Sequence, residues 1–429
     1  MSTISPDSGT LTAAQPAKWN KTDTVWMFGL YATAVGAGTL FLPINAGLNG
    51  PLVLLLMALF AFPLTYLPHR ALSRFVLSGS SRDGNIHDVV VEHFGVLAGK
   101  IIMMLYLMAF FPIVLVYSIS ITNALDSFLI HQFHVAPLPR IWLSLAVVVV
   151  LNLVLLRGKD SIVAAMGMLV FPLLVFLMGI SLYLMPSWNT ANFVHGLAAT
   201  RFDTPGLWHS LWLAVPVMVF SFSHAPIISS FASTQKSLYG DKAERRCARI
   251  MRYSYVLICV TVLFFVFSCV LSLTPENLAE AKAQNISILS YLANHFNNPM
   301  IEYIAPVIAF VAITKSFLGH YLGAREGFNG LVAKSMKSRG KTVSTAKLNR
   351  MTAIFMLVTT WIVATLNPSI LGMIETLGGP IIAMLLFLMP MYAIRKVPAM
   401  RKYSGHISNV FVVVMGLIAI SAIVFSLLG

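Results

Sequence analysis

Eleven stretches of this sequence are long and apolar enough to cross a lipid bilayer. They run over residues 24–48, 51–70, 101–125, 140–156, 161–185, 208–233, 253–273, 303–324, 351–366, 376–394 and 407–428. Most are near the roughly 20 residues that a spanning helix needs. Only 10% of the residues are charged and 58% are hydrophobic, which excludes a water-soluble protein of ordinary surface. The sequence therefore predicts an all-α polytopic membrane protein with eleven transmembrane helices.

The basic residues of the loops predict the orientation of these helices. Of the 29 Lys and Arg residues, all but four lie in loops that share one side of the membrane with the N-terminus. The exceptions are Arg140, Arg201, Lys282 and Lys315, the last within a predicted span. Because basic loops stay in the cytoplasm, we expect a cytoplasmic N-terminus and a periplasmic C-terminus. The net charge of +14 thus predicts membrane lipid as a partner and no nucleic acid.

Two of the predicted helices are interrupted at membrane depth by glycine, hydroxyl and proline residues. The breaks are Val35–Thr39 in the first span and Phe220–Pro226 in the sixth. Broken helices are tolerated within a bilayer where they line a cavity or are buried in protein. Both breaks therefore indicate a binding site.

The positions of the breaks also predict how the chain is divided. The two broken spans are five helices apart, and a unit with an odd number of helices is inverted when it is repeated. We expect a five-helix unit over residues 21–207, an inverted second unit over 208–394, and an eleventh helix within 395–429. Residues 1–20 are polar and are expected to form a disordered cytoplasmic tail.

In the first break, Gly36, Ala37, Gly38 and Thr39 are candidates for binding a substrate carboxylate. Glycine lets the chain leave helical geometry, and a helix that restarts presents free backbone N–H groups and the positive end of its dipole. A pair of small residues can also serve close helix packing alone. The second break in the sixth span favours binding.

In the second break, Phe220, Ser221, Phe222 and Ser223 are candidates for the other end of the same ligand. Unwinding frees carbonyl oxygens that can accept hydrogen bonds from an ammonium group, so a zwitterion fits between the two breaks. His224 follows at membrane depth. Its ring can be neutral and satisfied by neighbouring hydroxyls, or it can handle substrate or protons, and the sequence leaves both readings open.

Lys315 is the most costly residue to place in a bilayer. It lies near the middle of the eighth span, where a charged side chain costs about 2.5–3.5 kcal/mol. From this depth the side chain does not comfortably reach the membrane interface. A functional role in the protein interior is therefore favoured.

Tyr117 in the third span is a further candidate for the substrate carboxylate, and Glu375 near the tenth is either an outer gate or an interfacial residue. Gly319, Gly323 and Gly327 recur every four residues along the eighth span, which predicts a packing seam.

Two connecting segments are amphipathic. The basic segment Gln235–Arg252 predicts a helix that lies in the membrane interface. The segment Ile286–Leu292 predicts a second helix in an outer loop, where it is either a lid or a connector.

The sequence carries no GxSxG, HExxH or P-loop pattern, and its 11 histidines are scattered. It therefore predicts no catalytic residues, no metal, no cofactor and no enzymatic activity. A channel would line a continuous pore with polar residues and would not need a lone buried lysine opposite a broken helix. The pattern favours a carrier.

Three segments resemble the hydroxy and aromatic amino acid permeases of bacteria. They are Gly36–Pro43, Pro216–Phe222 and Thr314–Gly323, and the likeness extends from about Trp19 to the C-terminus. The resemblance implies an eleven-span carrier of the bacterial inner membrane with the leucine-transporter type of fold. It is strongest to the serine and threonine branch, which implies proton symport of L-serine, or alternatively of both L-threonine and L-serine.

The resemblance also implies a place for proton coupling. Carriers of this fold commonly hold sodium between the first and eighth spans, and Lys315 stands in that region between Thr314 and Ser316. We expect the protonated lysine to bridge to carbonyls of the first break and to release its proton during the cycle, because burial disfavours the charged form. His224 is the second candidate for coupling.

Overall fold

The computed structural model of the chain describes residues 18–82, 84–155, 169–296, 298–337, 340 and 343–428. Every regular element within these ranges is a helix. Most of the predicted tail, residues 1–17, lies outside the described residues, as does 161–168 at the start of the fifth predicted span.

Within the described residues before 185, the structure has six helices. They are α1 (Lys21–Ala34), α2 (Ala37–Leu48), α3 (Pro51–Leu77), α4 (Ile86–His131), α5 (Arg140–Leu155) and α6 (Val170–Leu184). Two of them start with a capping box, which Asn20 forms with Asp23 and Asn85 forms with Asp88. Gly95, with a φ of 84°, kinks α4 near its start.

Ten helices follow. They are α7 (Thr190–Ala198), α8 (Pro205–Ser221), α9 (Ala225–Tyr239), α10 (Ala243–Ser272), α11 (Pro275–Ala283), α12 (Ile288–His295), α13 (Pro299–Lys337), α14 (Thr345–Leu366), α15 (Ile370–Lys396) and α16 (Ile407–Leu428). Two π turns, Ile374–Gly378 and Met384–Leu388, interrupt α15. Such turns commonly mark functional positions in helices.

The described helices make the chain a multi-pass membrane protein. Within the described ranges, seven helical segments are long and apolar enough to cross a membrane, and α1 with α2 is an eighth if the bent pair is one span. Two shorter apolar segments, Arg140–Leu155 and Ile407–Ile423, are also present. All the predicted spans fall on helices where they are described, but the count of eleven and the division into two inverted units stay predictions.

The broken helices lie at the centre of the bundle. The second half of the first span, α2, packs on α8, α10 and α11, while α13 runs along α4. Nearly all residues from Leu30 to Ala46 are buried, and so are Ala214–Ala225. Both breaks are therefore enclosed by protein, as helix interruptions at membrane depth must be.

A buried ion pair joins the start of α1 to α10. Arg246 Nε donates to Asp23 Oδ1 at 2.8 Å, and a second guanidinium nitrogen contacts Asp23 Oδ2. Asp23 also accepts a hydrogen bond from the backbone N–H of Asn20 at 2.8 Å. Since separating a buried pair leaves an uncompensated charge, this contact holds α1 and α10 together at that end of the bundle.

The predicted interfacial helix over Gln235–Arg252 is wrong. The segment instead comprises the end of α9, a short 3-10 turn at Gly240–Lys242, and the first turns of α10. Gly240 has a φ of 51°, which allows the tight turn. The basic residues extend from helices that enter the bundle, and one of them, Arg246, is buried in the pair with Asp23.

Candidate functional site

The first break is narrower than predicted. Only Val35 and Gly36 leave helical geometry, and α2 resumes at Ala37 with a bend of 53° from α1. Gly36 has no side chain to cap the new helix. The backbone N–H groups of the first residues of α2, among them Gly38 and Thr39, have no partner four residues earlier in that helix. The positive end of the α2 dipole thus points into the buried centre.

Thr39 adds an unpaired hydroxyl to this helix start. The side chain is fully buried, and its Oγ1 has no hydrogen-bond partner among the described residues. Buried hydroxyls in folded proteins are nearly always satisfied. Oγ1 is therefore available to a polar ligand that enters the break.

The second break begins at Phe222 and ends at His224, between α8 and α9. Ser221, the last residue of α8, donates its hydroxyl to the carbonyl of Gly38 at 3.0 Å. The carbonyl of Phe220 accepts the N–H of Ser223 at 3.2 Å, and that of Phe222 faces the His224 ring at 3.0 Å. A carbonyl oxygen can accept two hydrogen bonds, so the Phe222 carbonyl retains a lone pair for a ligand.

The helix ends that flank the two breaks touch directly, at Gly38 in the first turn of α2 and Ser221 at the end of α8. A Cβ atom added to Gly38 would lie 2.7 Å from Ser221 Cα and 2.8 Å from the ring of Phe220. Gly36 is equally enclosed, because a Cβ there would collide with the Ser316 side chain and lie 3.2 Å from the Tyr117 hydroxyl. The absence of side chains at both glycines is required by this close approach.

Tyr117 lies between the breaks, on α4. Its ring centroid is 6.5 Å from that of Phe220 and 5.3 Å from that of His320. Its hydroxyl interacts with the side chain of Ser316, which in turn donates to the carbonyl of Val35 at 3.3 Å. The structure therefore brings the predicted residues of α2, α8 and α4 together around one buried point.

Lys315 lies beside this point, on α13. The side chain is fully buried, and neither its Nζ nor the Thr314 hydroxyl has a hydrogen-bond partner among the described residues. The predicted bridge from Lys315 to the first break is not formed here, and the carbonyl of Val35 accepts a hydrogen bond from Ser316. An unpaired buried ammonium is very unfavourable, so a charged Lys315 would need a partner that the described residues do not supply in this conformation.

His224 has its ring satisfied by protein groups. Nε2 lies 2.6 Å from the Tyr255 hydroxyl, Nδ1 lies 3.0 Å from the Phe222 carbonyl, and the ring is fully buried. Both ring nitrogens of His224 therefore have protein partners, and a role in handling substrate or protons stays a prediction. The backbone N–H of His224 donates to His69 Nε2 at 3.2 Å.

His69 and Tyr255 were not predicted as site residues. His69 falls inside the second predicted span, and an ionisable residue at membrane depth is a signal that sequence reasoning can use. Tyr255 carries no such signal, since its importance depends on α10 lying against the second break. Glu375, on the first π turn of α15, accepts a hydrogen bond from Asn45 of α2 at 3.0 Å.

Comparison with known proteins places the chain in a family. The model of the tryptophan/tyrosine permease family matches residues 27–429. The chain belongs to this family. The resemblance to aromatic and hydroxy amino acid permeases is thereby confirmed.

Two relatives of this permease are close in sequence. It is 63% identical to the serine transporter SdaC of Escherichia coli K12 over 414 residues, which cover 95% of this chain and 96% of that protein. It is 62% identical to the serine transporter SdaC of Shigella flexneri with the same coverage.

A solved structure confirms the fold of the permease. The crystal structure of MhsT in complex with L-phenylalanine superposes with a TM-score of 0.60 at 14% identity, covering 95% of this chain and 98% of that chain. At this identity the likeness concerns the fold alone. The predicted leucine-transporter type of all-α fold is confirmed, and the number of eleven spans stays a prediction.

Proposed function

We propose that this permease is a secondary active transporter that imports L-serine together with protons across the bacterial inner membrane. The observation that carries the proposal is the contact of the two helix breaks at Gly38 and Ser221, in a chain 63% identical to a serine transporter. Its relatives are transporters, not enzymes. The N-terminus is assigned to the cytoplasm and the C-terminus to the periplasm, from the basic loops.

The substrate binds between the breaks in this proposal. The carboxylate accepts from N–H groups at the start of α2, from Ala37 to Thr39, with the free Thr39 hydroxyl as an added donor. The ammonium donates to the spare lone pairs of carbonyls between Phe220 and Ser223. Tyr117 closes the side of the site toward α4.

Lys315 supplies the coupling in the same proposal. When the substrate and a proton are bound, the charged ammonium turns to carbonyls of the first break, and deprotonation on the inner side returns it to the unpaired state. The His224 ring is held by Tyr255 and Phe222 and stabilises the second break. A role of His224 in proton coupling is the alternative. Access alternates around the breaks, within two inverted units over 21–207 and 208–394, with residues 395–429 outside the repeat.

The experiment that tests this function is proton-driven uptake into proteoliposomes. Purified protein is reconstituted, an inward proton gradient is imposed, and entry of labelled L-serine and external alkalinisation are followed together. We expect serine uptake to require the gradient, and serine addition to move protons. Sodium-dependent uptake without proton movement would contradict proton symport, and ion flux without substrate dependence would indicate a channel.

We also predict that substrate choice is limited by size. The breaks are in contact at Gly38, and Phe220 and Phe222 are buried beside them, so the site should admit serine and, less strongly, threonine. One added methyl group is worth only about 1–3 kcal/mol in a pocket, which makes L-threonine the alternative substrate. Unlabelled amino acids are tested as competitors of labelled serine, and strong competition by tryptophan at low concentration would contradict the prediction.

A further inference from the structure

Two stacked histidines and a tyrosine lie directly beside the second break. His69 comes from α3, His224 precedes α9, and Tyr255 comes from α10, and all three are buried. The rings of His69 and His224 are parallel, with centroids 3.9 Å apart and an interplanar angle of 4°. Tyr255 meets both rings edge-on, at 5.7 Å and 4.8 Å.

The hydrogen-bond partners fix which nitrogen of each ring carries a proton. A carbonyl oxygen only accepts, so His69 Nδ1, 2.7 Å from the Thr65 carbonyl, is a donor. His224 Nδ1 is a donor for the same reason, at 3.0 Å from the Phe222 carbonyl. His69 Nε2 is then free to accept the backbone N–H of His224, and His224 Nε2 accepts the Tyr255 hydroxyl.

The bond to His69 satisfies a backbone group that the break would otherwise leave unpaired. His224 is the residue before the first turn of α9, and its own side chain makes no capping hydrogen bond to that turn. A buried N–H without a partner is costly, so the break needs an acceptor at this place. His69 Nε2 provides one from a different helix, at 3.2 Å.

We infer that His69 is a positioning residue of the substrate site, which holds the unwound segment Phe222–His224 in its binding geometry through the His224 N–H. The inference rests on the proposed function, because it assumes that the carbonyls of this segment bind the substrate. His69 acts through the backbone and contacts no substrate. His69 can accept this hydrogen bond only if Nε2 carries no proton. Within the described residues, no carboxylate is hydrogen-bonded to either histidine ring.

Three substitutions of His69 separate this role from simple packing. His69→Phe keeps a stacking ring without an acceptor, and we expect the Kd for L-serine to rise about tenfold. His69→Gln places an amide oxygen near the position of Nε2 and should restore the Kd to within about threefold of wild type. His69→Asn is too short to reach the His224 N–H and should behave like His69→Phe. If His69 acted by packing alone, His69→Phe would bind L-serine more tightly than His69→Gln.

The measurement is equilibrium binding of labelled L-serine to the purified full-length protein. Tyr66→Phe is the matched control, because Tyr66 lies one turn earlier on α3 and its buried hydroxyl has no partner among the described residues. We expect Tyr66→Phe to bind like wild type.

Several outcomes would overturn the role of His69. They are a wild-type Kd for His69→Phe, equal weakening by glutamine and phenylalanine, or stronger binding by asparagine than by glutamine. If His69→Phe does not fold, the comparison of glutamine with asparagine decides alone. A wild-type protein that does not bind serine would instead overturn the proposed function, which separates the two failures.

Discussion

Replacing Lys315 with methionine is expected to abolish the accumulation of L-serine against its gradient. Methionine fills a similar buried volume but cannot carry a proton, so transport loses its link to the proton gradient. Moving one charge through 100 mV provides about 2.3 kcal/mol, which corresponds to roughly fiftyfold accumulation. In proteoliposomes with an imposed proton gradient, the ratio of internal to external serine should fall from that order to about one.

Two further variants make the Lys315 experiment specific. Lys315→Arg keeps a positive charge that does not dissociate in this pH range, so it should also lose accumulation, by trapping the charged state. Lys100→Met removes an exposed lysine from α4 and should accumulate serine like wild type. Full concentrative uptake by Lys315→Met would show that the coupling site lies elsewhere in the protein.

The features that sequence reasoning predicted well are local ones. Apolar length located the helices, and the helix predicted at Ile286–Leu292 is found as α12, Ile288–His295, although residues 286–292 are all buried. The glycine seam is confirmed for two of its three residues, since a Cβ at Gly327 would lie 3.1 Å from the backbone of Leu107 and one at Gly323 would lie 3.2 Å from Phe110. Each depends on periodicity within one helix, which a single sequence records directly.

The features that it missed depend on contacts between distant helices. The charges of the basic segment after Gln235 are evident in the sequence and suggested an interfacial helix. Arg246, however, pairs with Asp23, which lies 223 residues earlier, at the start of α1. His69 likewise became part of the second break only through α3 packing against α9. The spacing of residues in the sequence does not predict such contacts, because they depend on how the helices assemble.

The breaks show both sides of this limit. Glycine, serine and proline marked their positions, yet the sequence predicted five and seven non-helical residues where the structure has a shorter interruption in each. Gly38 and Thr39 belong to the first turn of α2. The N–H groups of a first turn have no partner within the helix, although its residues have helical geometry. The reason for glycine at position 38 is therefore the neighbouring backbone, which is a tertiary feature.

That contact gives Gly38→Ala a large expected effect on substrate binding. The new Cβ would lie 2.7 Å from Ser221 Cα, where the obstacle is backbone and cannot rotate away. The two breaks must separate, and the hydrogen bond from Ser221 to the Gly38 carbonyl is strained. Overpacking of this kind costs about 1–3 kcal/mol, so the Kd for L-serine should rise by roughly 5- to 150-fold. Equilibrium binding to the purified protein measures this.

Gly29→Ala is the matched control for the effect of alanine in the first span. Its Cβ would lie 3.8 Å from Ile227 Cδ1, an ordinary contact, and the substitution lies in α1 before the break. It should leave the Kd unchanged, whereas Gly38→Ala should weaken binding even where thermal unfolding and size exclusion show both variants folded. If Gly38→Ala binds serine like Gly29→Ala, the first break is not part of the substrate site, and the ligand must be held without the N–H groups of α2.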